Sequence, residues 1–249
     1  MNSNSFLYGK GIFSTVAIRD GKALLWNKHW ARLRSNAGII GIACEGFDQQ
    51  ELLIELEKRV KESSINNGRA RITFFDERSS EIWPAEAPVE QPASLHIVVG
   101  KQRQIPENFK LTVSPHPTNS RSPLVGIKSC NYLEQIMSLD EAKARRFHEA
   151  VRVNENGFVT SACMANVFWL RDGVMNTPSL ETGSLAGTTR EFVLENMECR
   201  EVIAGIEELE SADAIYLTSA GLGVVAVSEY SGRKLANPPQ QITELLNFN

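Results

Sequence analysis

The sequence predicts an α+β fold divided into two domains, and three observations support this prediction. A chain of 249 residues is long enough for two modest domains. Short strand patterns outnumber helical ones, and turns that contain glycine, asparagine or aspartate separate them. A segment rich in turn-forming residues, 116–123, lies near the middle of the chain. We therefore expect an N-terminal α+β domain (1–115), a linker (116–123) and a C-terminal domain (124–249) whose sheet curls towards a barrel.

The elements of the first domain follow from hydrophobic periodicity and from capping residues. The pattern at 12–18 predicts a strand, which an Arg-Asp-Gly-Lys turn joins to a second short strand at 23–26. Asn27 can cap a first helix, and Asp48 with Glu51 forms a capping box before a second helix. Further strands are predicted at 70–75, 95–99 and 111–114.

The second domain is predicted to open with a helix and to continue with a dense series of strands. The helix is expected over 131–147, and a second helix is expected to begin near Thr188. Turn signals separate the strands from one another. The strands are predicted at 150–153, 158–162, 167–170, 174–176, 214–218 and 224–227.

Composition excludes several classes of protein. Hydrophobic residues make up 42% of the chain and charged residues 22%, as is ordinary for globular proteins. The chain has 26 Lys and Arg against 30 Asp and Glu, a net charge of −4, so we expect neither nucleic-acid nor membrane binding. No apolar run approaches the roughly 20 residues of a membrane-spanning helix, and the first residues lack a signal-peptide pattern. We expect a cytoplasmic protein.

The cysteines give no sign of a metal site or a disulfide framework. They form no C-x-x-C pair, and no histidine lies near them at metal-ligand spacing. We expect free thiols in the protein interior and no bound metal. The four cysteines are Cys44, Cys130, Cys163 and Cys199.

Lys128 is the first candidate for chemistry. It ends the apolar segment 124–127, and the burial of a lysine ammonium is costly. Desolvation lowers the pKa of an ammonium and makes the neutral amine available to attack a carbonyl carbon. The alternative is a surface lysine at a strand end, whose ammonium reaches water.

The segment 185–190 (LAGTTR) is the second candidate. A small glycine-containing loop leads there into a helix whose first turn carries two hydroxyl groups, those of Thr188 and Thr189. Backbone N–H groups at the start of a helix, together with threonine hydroxyls, suit a phosphate monoester. The alternative is that Thr188 only caps the helix.

Two further features depend on what surrounds them. The segment 217–223 has two glycines after a predicted strand, but no Rossmann helix and acidic residue follow, so we exclude a dinucleotide site. A second small-residue loop beside a phosphate stays open there. Arg32, on the first predicted helix, is an ordinary surface arginine unless a phosphate lies nearby.

A lysine, a phosphate-binding helix start, a second small-residue loop and an arginine together suit a pyridoxal phosphate enzyme. The chain resembles the class IV aminotransferases, the fold-type IV pyridoxal phosphate enzymes, at four motifs. The resemblance implies two domains, the C-terminal one a larger pseudo-barrel. It also implies a homodimer, because active sites in the family are completed across a subunit interface. The motifs are 8–15 (YGKGIFST), 29–35 (HWARLRS), 126–135 (GIKSCNYLEQ) and 185–190 (LAGTTR).

The resemblance also implies roles for individual residues. Lys128 would form the Schiff base with pyridoxal 5′-phosphate and then move protons. Arg32 and Thr189 would hold the phosphate, with a backbone N–H contributed by Thr188. Tyr132 falls where some members place a tyrosine on the phenolic oxygen of the cofactor.

The implied second phosphate loop and one charged position depart from the family pattern. Ser219 and Ala220 fall in that loop, and Ala220 lacks the hydroxyl that several relatives have, so only backbone contacts remain there. Lys10 stands where the family has an aspartate. These two departures concern the cofactor loop and the substrate pocket.

Ser161 is the largest departure. In 159–166 (VTSACMAN) the family has a glutamate five residues before the asparagine, which pairs with the pyridine nitrogen and keeps it protonated. A serine can only hydrogen-bond a largely neutral nitrogen, which leaves the ring a weaker electron sink. Transamination depends on that sink, whereas a cleavage that produces an aromatic ring has a second driving force.

The serine at position 161 favours a lyase within the family. We expect the conversion of 4-amino-4-deoxychorismate, an amino-acid-like small molecule, into 4-aminobenzoate and pyruvate in folate synthesis. Lys128 would remove the ring proton, and a hydroxyl such as that of Thr15 could protonate the leaving group. Two alternatives stay open: an aminotransferase of branched-chain or D-amino acids, and a catalytically silent protein that kept the fold.

Overall fold

The chain divides into two compact units. The first unit comprises Met1–Arg103 and Ile127–Asn131, and the second comprises Gln104–Gly126 and Tyr132–Asn249. Each unit therefore contains two separate stretches of the sequence. A computed structural model describes residues 3–78, 93–236 and 241–245.

The first unit contains a four-stranded antiparallel sheet, with α2 and α3 packed on one face, and a short helix, α1. The strand order is β2-β1-β3-β4, and β1 pairs with β3 from Gly11↔Phe75 to Ile18↔Gly68. The helices are α1 (Asn4–Tyr8), α2 (Trp26–Ile40) and α3 (Gln49–Glu62). The strands are β1 (Gly11–Arg19), β2 (Lys22–Ala23), β3 (Gly68–Phe75) and β4 (Ser94–Lys101).

The period of two along the strands decides which side chains meet the helices. Ile12 and Val16 of β1 and Ile72 of β3 point to the same face, where they pack in one core with Leu33 of α2 and Leu56 of α3. The opposite face of the sheet carries the odd-numbered residues of β1. The core of the first unit therefore lies between its sheet and α2 and α3.

The helix starts agree with the sequence at one position and differ at another. Asp48 caps α3, because its carboxylate accepts the backbone N–H groups of Gln50 and Glu51, as the capping box predicts. Asn27 is not a cap. The N-cap residue of α2 is Leu25, two residues earlier, so Asn27 lies inside the helix, and its side-chain oxygen accepts a hydrogen bond from Gln49. The second predicted strand, 23–26, is correspondingly shortened to Lys22–Ala23.

The second unit contains two five-stranded sheets. Their orders are β14-β13-β5-β6-β7 and β10-β9-β8-β11-β12. The helices are α4 (Leu133–Ala144), α5 (Thr188–Asn196), α6 (Glu207–Glu210) and α7 (Gln241–Leu245). The strands are β5 (Lys110–Val113), β6 (Glu149–Val153), β7 (Val159–Ala162), β8 (Asn166–Arg171), β9 (Val174–Pro178), β10 (Arg200–Val202), β11 (Ala214–Ser219), β12 (Gly223–Ala226), β13 (Glu229–Tyr230) and β14 (Arg233–Lys234).

One hydrophobic core joins the two sheets of the second unit. Leu111 and Val151 come from the first sheet, and Val167 and Ile215 come from the second; all four are fully buried in the same cluster. The chain passes from one sheet to the other through the short connection 163–165 between β7 and β8. Mixed short strands around one core agree with the predicted α+β class.

The division into units differs from the predicted boundaries at two points. Strand β5, predicted within 1–115, pairs in parallel with β6 and with β13, so it belongs to the sheet of the second unit. The predicted linker, 116–123, lies in that unit as well. The segment Ile127–Asn131, predicted within the second domain, belongs to the first unit because its main chain bonds to β1.

Candidate active site

Lys128 lies in a short extended segment along the edge of β1. The backbone N–H of Phe13 donates to the carbonyl of Lys128 (2.9 Å), and that of Cys130 donates to the carbonyl of Gly11 (2.8 Å). Asn36 of α2 fixes the same segment, since its side-chain oxygen accepts the backbone N–H of Lys128 at 2.9 Å. The main chain of Lys128 is therefore held by both the sheet and a helix.

The surroundings of Lys128 favour the neutral amine. Burial, followed by the nearby guanidinium groups of Arg32 and Arg71, lowers the pKa of Lys128 to about 7. The aromatic ring of Phe13 lies 4.5 Å from Lys128 Nζ and 3.6 Å from Arg71 Cζ. An amine with such a pKa is available as a nucleophile and as a base near neutral pH.

Arg32 is held within a buried hydrogen-bonded group on α2 and β1. Its Nη2 donates to Ser14 Oγ at 2.7 Å, and Ser14 Oγ lies 2.8 Å from His29 Nδ1. Both Ser14 and His29 are fully buried. The structure thus brings Arg32 and Lys128 into one charged cluster, as the effect of Arg32 on the pKa of Lys128 requires.

Sequence reasoning missed Ser14, His29 and Asn36 as members of this cluster. His29 and Asn36 share a helical face with Arg32, but Asn36 lies among apolar residues that predict core packing. Ser14 lies in a strand pattern of mostly apolar residues, which also predicts core packing. Only the signal of polar residues on an otherwise apolar face could have marked them.

The start of α5 lies in the second unit. Gly187 is the N-cap residue, and Thr188 and Thr189 occupy the first turn with buried side chains. Thr188 is therefore the first helical residue and not the cap. A Cβ atom on Gly187 would collide with the side-chain oxygen of Asn166, so the close approach of β8 requires glycine here. Asn166 also donates to the carbonyl of Leu185 (2.8 Å), which fixes the loop before the helix.

The glycine-containing loop after β11 lies next to Asn166. Thr218 of β11 pairs with Asn166 of β8, and Ser219 and Ala220 follow directly. The backbone N–H of Leu222 donates to the carbonyl of Ser219 (3.1 Å), which closes a tight turn. The structure thus connects the two loops that the sequence marks as candidate phosphate sites through one asparagine.

Ser161 lies on β7 opposite Arg152 of β6. The guanidinium of Arg152 is buried, and it donates to the carbonyl of Pro117 (3.1 Å) and to the carboxylate of Glu134 (3.1 Å). Glu134 is in the first turn of α4, and Tyr132 is the N-cap residue of the same helix. Arg152 therefore links the strand pair that carries Ser161 to the helix start that carries Tyr132.

The predicted site residues fall into two groups. Arg32 and Lys128 belong to the first unit and lie together. The second unit holds the other six, with the two candidate phosphate loops joined through Asn166 and Ser161 joined to the start of α4 through Arg152. Those six are Tyr132, Ser161, Thr188, Thr189, Ser219 and Ala220.

The described part of the chain offers neither a metal centre nor a membrane-spanning helix. Residues 3–78, 93–236 and 241–245 contain no group of three or more His, Cys, Asp or Glu side chains that could hold a metal ion. Within the same ranges no helix has the length and apolar character needed to cross a membrane.

Comparison with known proteins identifies the family. The sequence profile of the family described as Amino-transferase class IV matches residues 11–230, which is most of the chain. The chain belongs to the class IV aminotransferase family. The enzyme class and the α+β fold predicted from the sequence are thereby confirmed.

The curated relatives include both lyases and aminotransferases. The chain is 28% identical to the aminodeoxychorismate lyase of Bacillus subtilis, over 89% of this chain and 78% of the relative. It is 23% identical to a D-alanine aminotransferase of Listeria monocytogenes, over 95% of this chain and 84% of the relative.

Solved structures show the same fold. A Legionella pneumophila protein provisionally named 4-amino-4-deoxychorismate lyase superposes with a TM-score of 0.89 at 24% identity, over 98% of this chain and 91% of that one. The branched-chain amino acid aminotransferase of Escherichia coli gives a TM-score of 0.86 at 18% identity, over 98% and 85% of the two chains. Another branched-chain amino acid aminotransferase of this fold, with a TM-score of 0.85, has been solved with pyridoxamine 5′-phosphate.

The residues of this chain fit the cofactor that the family implies, pyridoxal 5′-phosphate. Lys128 offers an amine whose pKa of about 7 suits reaction with an aldehyde. The guanidinium of Arg32 and the first turn of α5, with its two threonines, suit a phosphate group. Ser161 offers a hydroxyl, which can hydrogen-bond a pyridine nitrogen but carries no charge to hold a proton there.

Proposed function

We propose that this chain is a pyridoxal phosphate-dependent lyase that converts 4-amino-4-deoxychorismate into 4-aminobenzoate and pyruvate. The observation that carries the proposal is the combination of a lysine amine with a pKa of about 7 and a serine in place of a carboxylate at position 161. The Bacillus subtilis lyase, 28% identical to this chain, supports it.

Several residues would hold the cofactor. Arg32, Thr189 and the backbone N–H of Thr188 would bind its phosphate, as would the loop of Ser219 and Ala220. Tyr132 would lie at the phenolic oxygen and Ser161 at the ring nitrogen. When bound, pyridoxal phosphate withdraws electrons from the carbon that bears the substrate amine. These assignments support both a lyase and an aminotransferase.

Lys128 is the base of the proposed reaction. Its amine, neutral in large part near pH 7, takes the proton from the ring carbon that bears the amine. The C–O bond to the enolpyruvyl group then breaks and the ring becomes aromatic. The leaving enolpyruvate gains a proton, from Lys128 or from a hydroxyl such as that of Thr15, and becomes pyruvate. Substrate atoms are thereby fully accounted for by 4-aminobenzoate and pyruvate.

Ser161 favours this cleavage over transamination. Its hydroxyl carries no charge and cannot keep a ring nitrogen protonated. A weaker electron sink slows transamination, whereas aromatisation of the product drives the cleavage. The aminotransferase relatives make D-amino acids and branched-chain amino acids the substrates of the second candidate function.

The proposal is tested by the products formed from 4-amino-4-deoxychorismate. The purified enzyme with pyridoxal phosphate should release 4-aminobenzoate and pyruvate in equal amounts with no 2-oxo acid added. D-alanine or leucine with 2-oxoglutarate is the matched reaction for an aminotransferase. Glutamate formation from those pairs, without cleavage of 4-amino-4-deoxychorismate, would contradict the proposal.

We also propose that the enzyme is a cytoplasmic homodimer. Leu133, Ile136 and Met137 follow helical spacing on α4, and each exposes a large apolar side chain. Such a stripe supports association with another chain. The mass of the particle in solution, measured by light scattering, tests the dimer.

A further inference from the structure

A buried hydrogen-bonded chain in the first unit contains two residues that the proposed reaction does not use. Ser14 of β1 and His29 of α2 are both fully buried, and Ser14 Oγ lies 2.8 Å from His29 Nδ1. Arg32 lies one turn after His29 and donates from Nη2 to the same Ser14 oxygen at 2.7 Å. The three side chains therefore form one chain that crosses from helix to strand.

The direction of the hydrogen bond between Arg32 and Ser14 follows from the chemistry of the groups. A guanidinium only donates, so Ser14 Oγ is the acceptor of the bond from Arg32. That oxygen keeps a second lone pair and its own proton, so its hydrogen bond with His29 Nδ1 forms in either neutral tautomer of the imidazole. The imidazole is neutral, because burial and the charges of Arg32 and Lys128 hold the pKa of His29 well below its usual value.

We propose that Ser14 and His29 are positioning residues, which orient the guanidinium of Arg32 for binding the phosphate group of the cofactor. This inference rests on the phosphate-binding role proposed above for Arg32. A free arginine side chain has many rotamers, and it loses that freedom when it binds a phosphate. Ser14 fixes one N–H of the guanidinium before binding, and His29 fixes the hydroxyl of Ser14, so less freedom is lost on binding.

The proposed role is specific to the phosphate and can be separated from general support of the fold. Pyridoxal and pyridoxal 5′-phosphate share the same ring and aldehyde, but only the second has the phosphate. A residue that orients Arg32 affects the second ligand far more than the first. A residue that only fills space in the core affects both ligands alike.

The experiment measures the dissociation constants of pyridoxal 5′-phosphate and of pyridoxal for the full chain, without substrate. Ser14→Ala and His29→Leu should each weaken pyridoxal phosphate binding at least about tenfold and change pyridoxal binding little. Each substitution removes a hydrogen bond from the series that ends on the guanidinium of Arg32. The double variant should bind pyridoxal phosphate no more weakly than either single variant, since either substitution alone interrupts the hydrogen-bonded series His29–Ser14–Arg32.

Two further variants serve as controls. His29→Asn retains an amide that can donate or accept a hydrogen bond near the position of Nδ1, and it should recover much of the preference for pyridoxal phosphate. Ser138→Ala removes a buried hydroxyl of the second unit that has no hydrogen-bond partner among the described residues, and it should change neither constant. If Ser14→Ala does not fold, the comparison of His29→Asn with His29→Leu decides the same question.

The outcomes separate this inference from the proposed function. Equal weakening of both ligands in Ser14→Ala, or none, would overturn the positioning role and leave the lyase proposal standing. A loss specific to pyridoxal phosphate supports the positioning role, whichever substrate the enzyme then acts on. Failure of the wild-type chain to bind pyridoxal phosphate at all would overturn both.

Discussion

At the scale of single residues, the charge state of Lys128 decides what its amine can do. Arg71 lies on β3 with its guanidinium over the Phe13 ring, and it helps to lower the pKa of Lys128 to about 7. Arg71→Gln removes that positive charge, so the pKa of Lys128 should rise towards its usual 10.5. The pH profile of Lys128 acetylation, followed by mass spectrometry, should therefore shift to higher pH.

The control for this prediction is on the same strand. Arg69 is also exposed, two residues earlier on β3, and is not among the charges that lower the pKa of Lys128. Arg69→Gln should leave the acetylation profile of Lys128 unchanged. A profile in Arg71→Gln that coincides with the wild-type profile would mean that Arg71 does not influence the amine.

Ser161 gives a second prediction at the same scale. Ser161→Glu supplies a carboxylate where the ring nitrogen is proposed to lie, which would hold a proton on that nitrogen and strengthen the electron sink. The rate of glutamate formation from D-alanine and 2-oxoglutarate should rise at least about tenfold. Ser161→Gln, similar in size but uncharged, is the control and should show no such rise. An unchanged rate in a Ser161→Glu enzyme that still binds the cofactor would refute the role assigned to position 161.

At the scale of elements, Glu149 holds the strands of the second unit in place. Its fully buried carboxylate accepts the backbone N–H groups of Ala150, Cys163 and Met164, at 3.1, 3.0 and 3.1 Å. These bonds join β6 to the connection that leads from β7 to β8. Burial, partly offset by these bonds, raises the pKa of Glu149 above its usual value.

Loss of the Glu149 side chain should destabilise the second unit. Glu149→Ala leaves the N–H groups of Ala150 and Met164 without this acceptor, whereas that of Cys163 keeps its bond to the carbonyl of Ala150 (3.0 Å), and we expect the free energy of unfolding to fall by about 2–4 kcal/mol. Glu149→Gln keeps one acceptor oxygen and should cost clearly less. Urea unfolding followed by circular dichroism measures both values. Equal losses in the two variants would show that the carboxylate is not what the N–H groups require.

The elements themselves were largely predictable from the sequence. The capping box at Asp48 and the alternation along 12–18 predict a helix and a strand that the structure contains. The prediction that Asn27 caps α2 was wrong, because a local capping preference is weak evidence beside a tertiary contact, here the hydrogen bond with Gln49. The short strands β10, β13 and β14 have too few residues to show any periodicity.

At the scale of the whole molecule, the chain returns to its first unit after entering the second. Ile127–Asn131 completes the edge of β1, although the sequence around it belongs to the other unit. No local sequence pattern predicts that this segment pairs with β1, because the pairing depends on which main-chain groups meet in space. The same limit explains the site: the sequence marks Lys128 and Arg32, but it does not show that Ser14 and His29 lie between strand and helix beside Arg32.

This arrangement predicts how fragments behave. A fragment that ends at the predicted boundary, 1–115, lacks Lys128 and its neighbours, so the N–H of Phe13 loses its partner. It also ends in β5 without the strands β6 and β13 that pair with it. We expect this fragment to show no cooperative thermal unfolding, in contrast to the full chain. A cooperative transition in the fragment, measured by circular dichroism, would show that the first unit folds without the returning segment.

The most direct test of the proposed enzyme is whether Lys128 is the residue that binds pyridoxal 5′-phosphate covalently. The purified chain with added cofactor should show a visible absorption band, and borohydride should make the attachment permanent at Lys128, as located by mass spectrometry. Lys110→Ala, which removes an ion-paired lysine of the second unit, should keep the band, and Lys128→Ala should lose it. Absence of the band from the wild-type chain, or its persistence in Lys128→Ala, would contradict the assignment of this lysine as the reactive group.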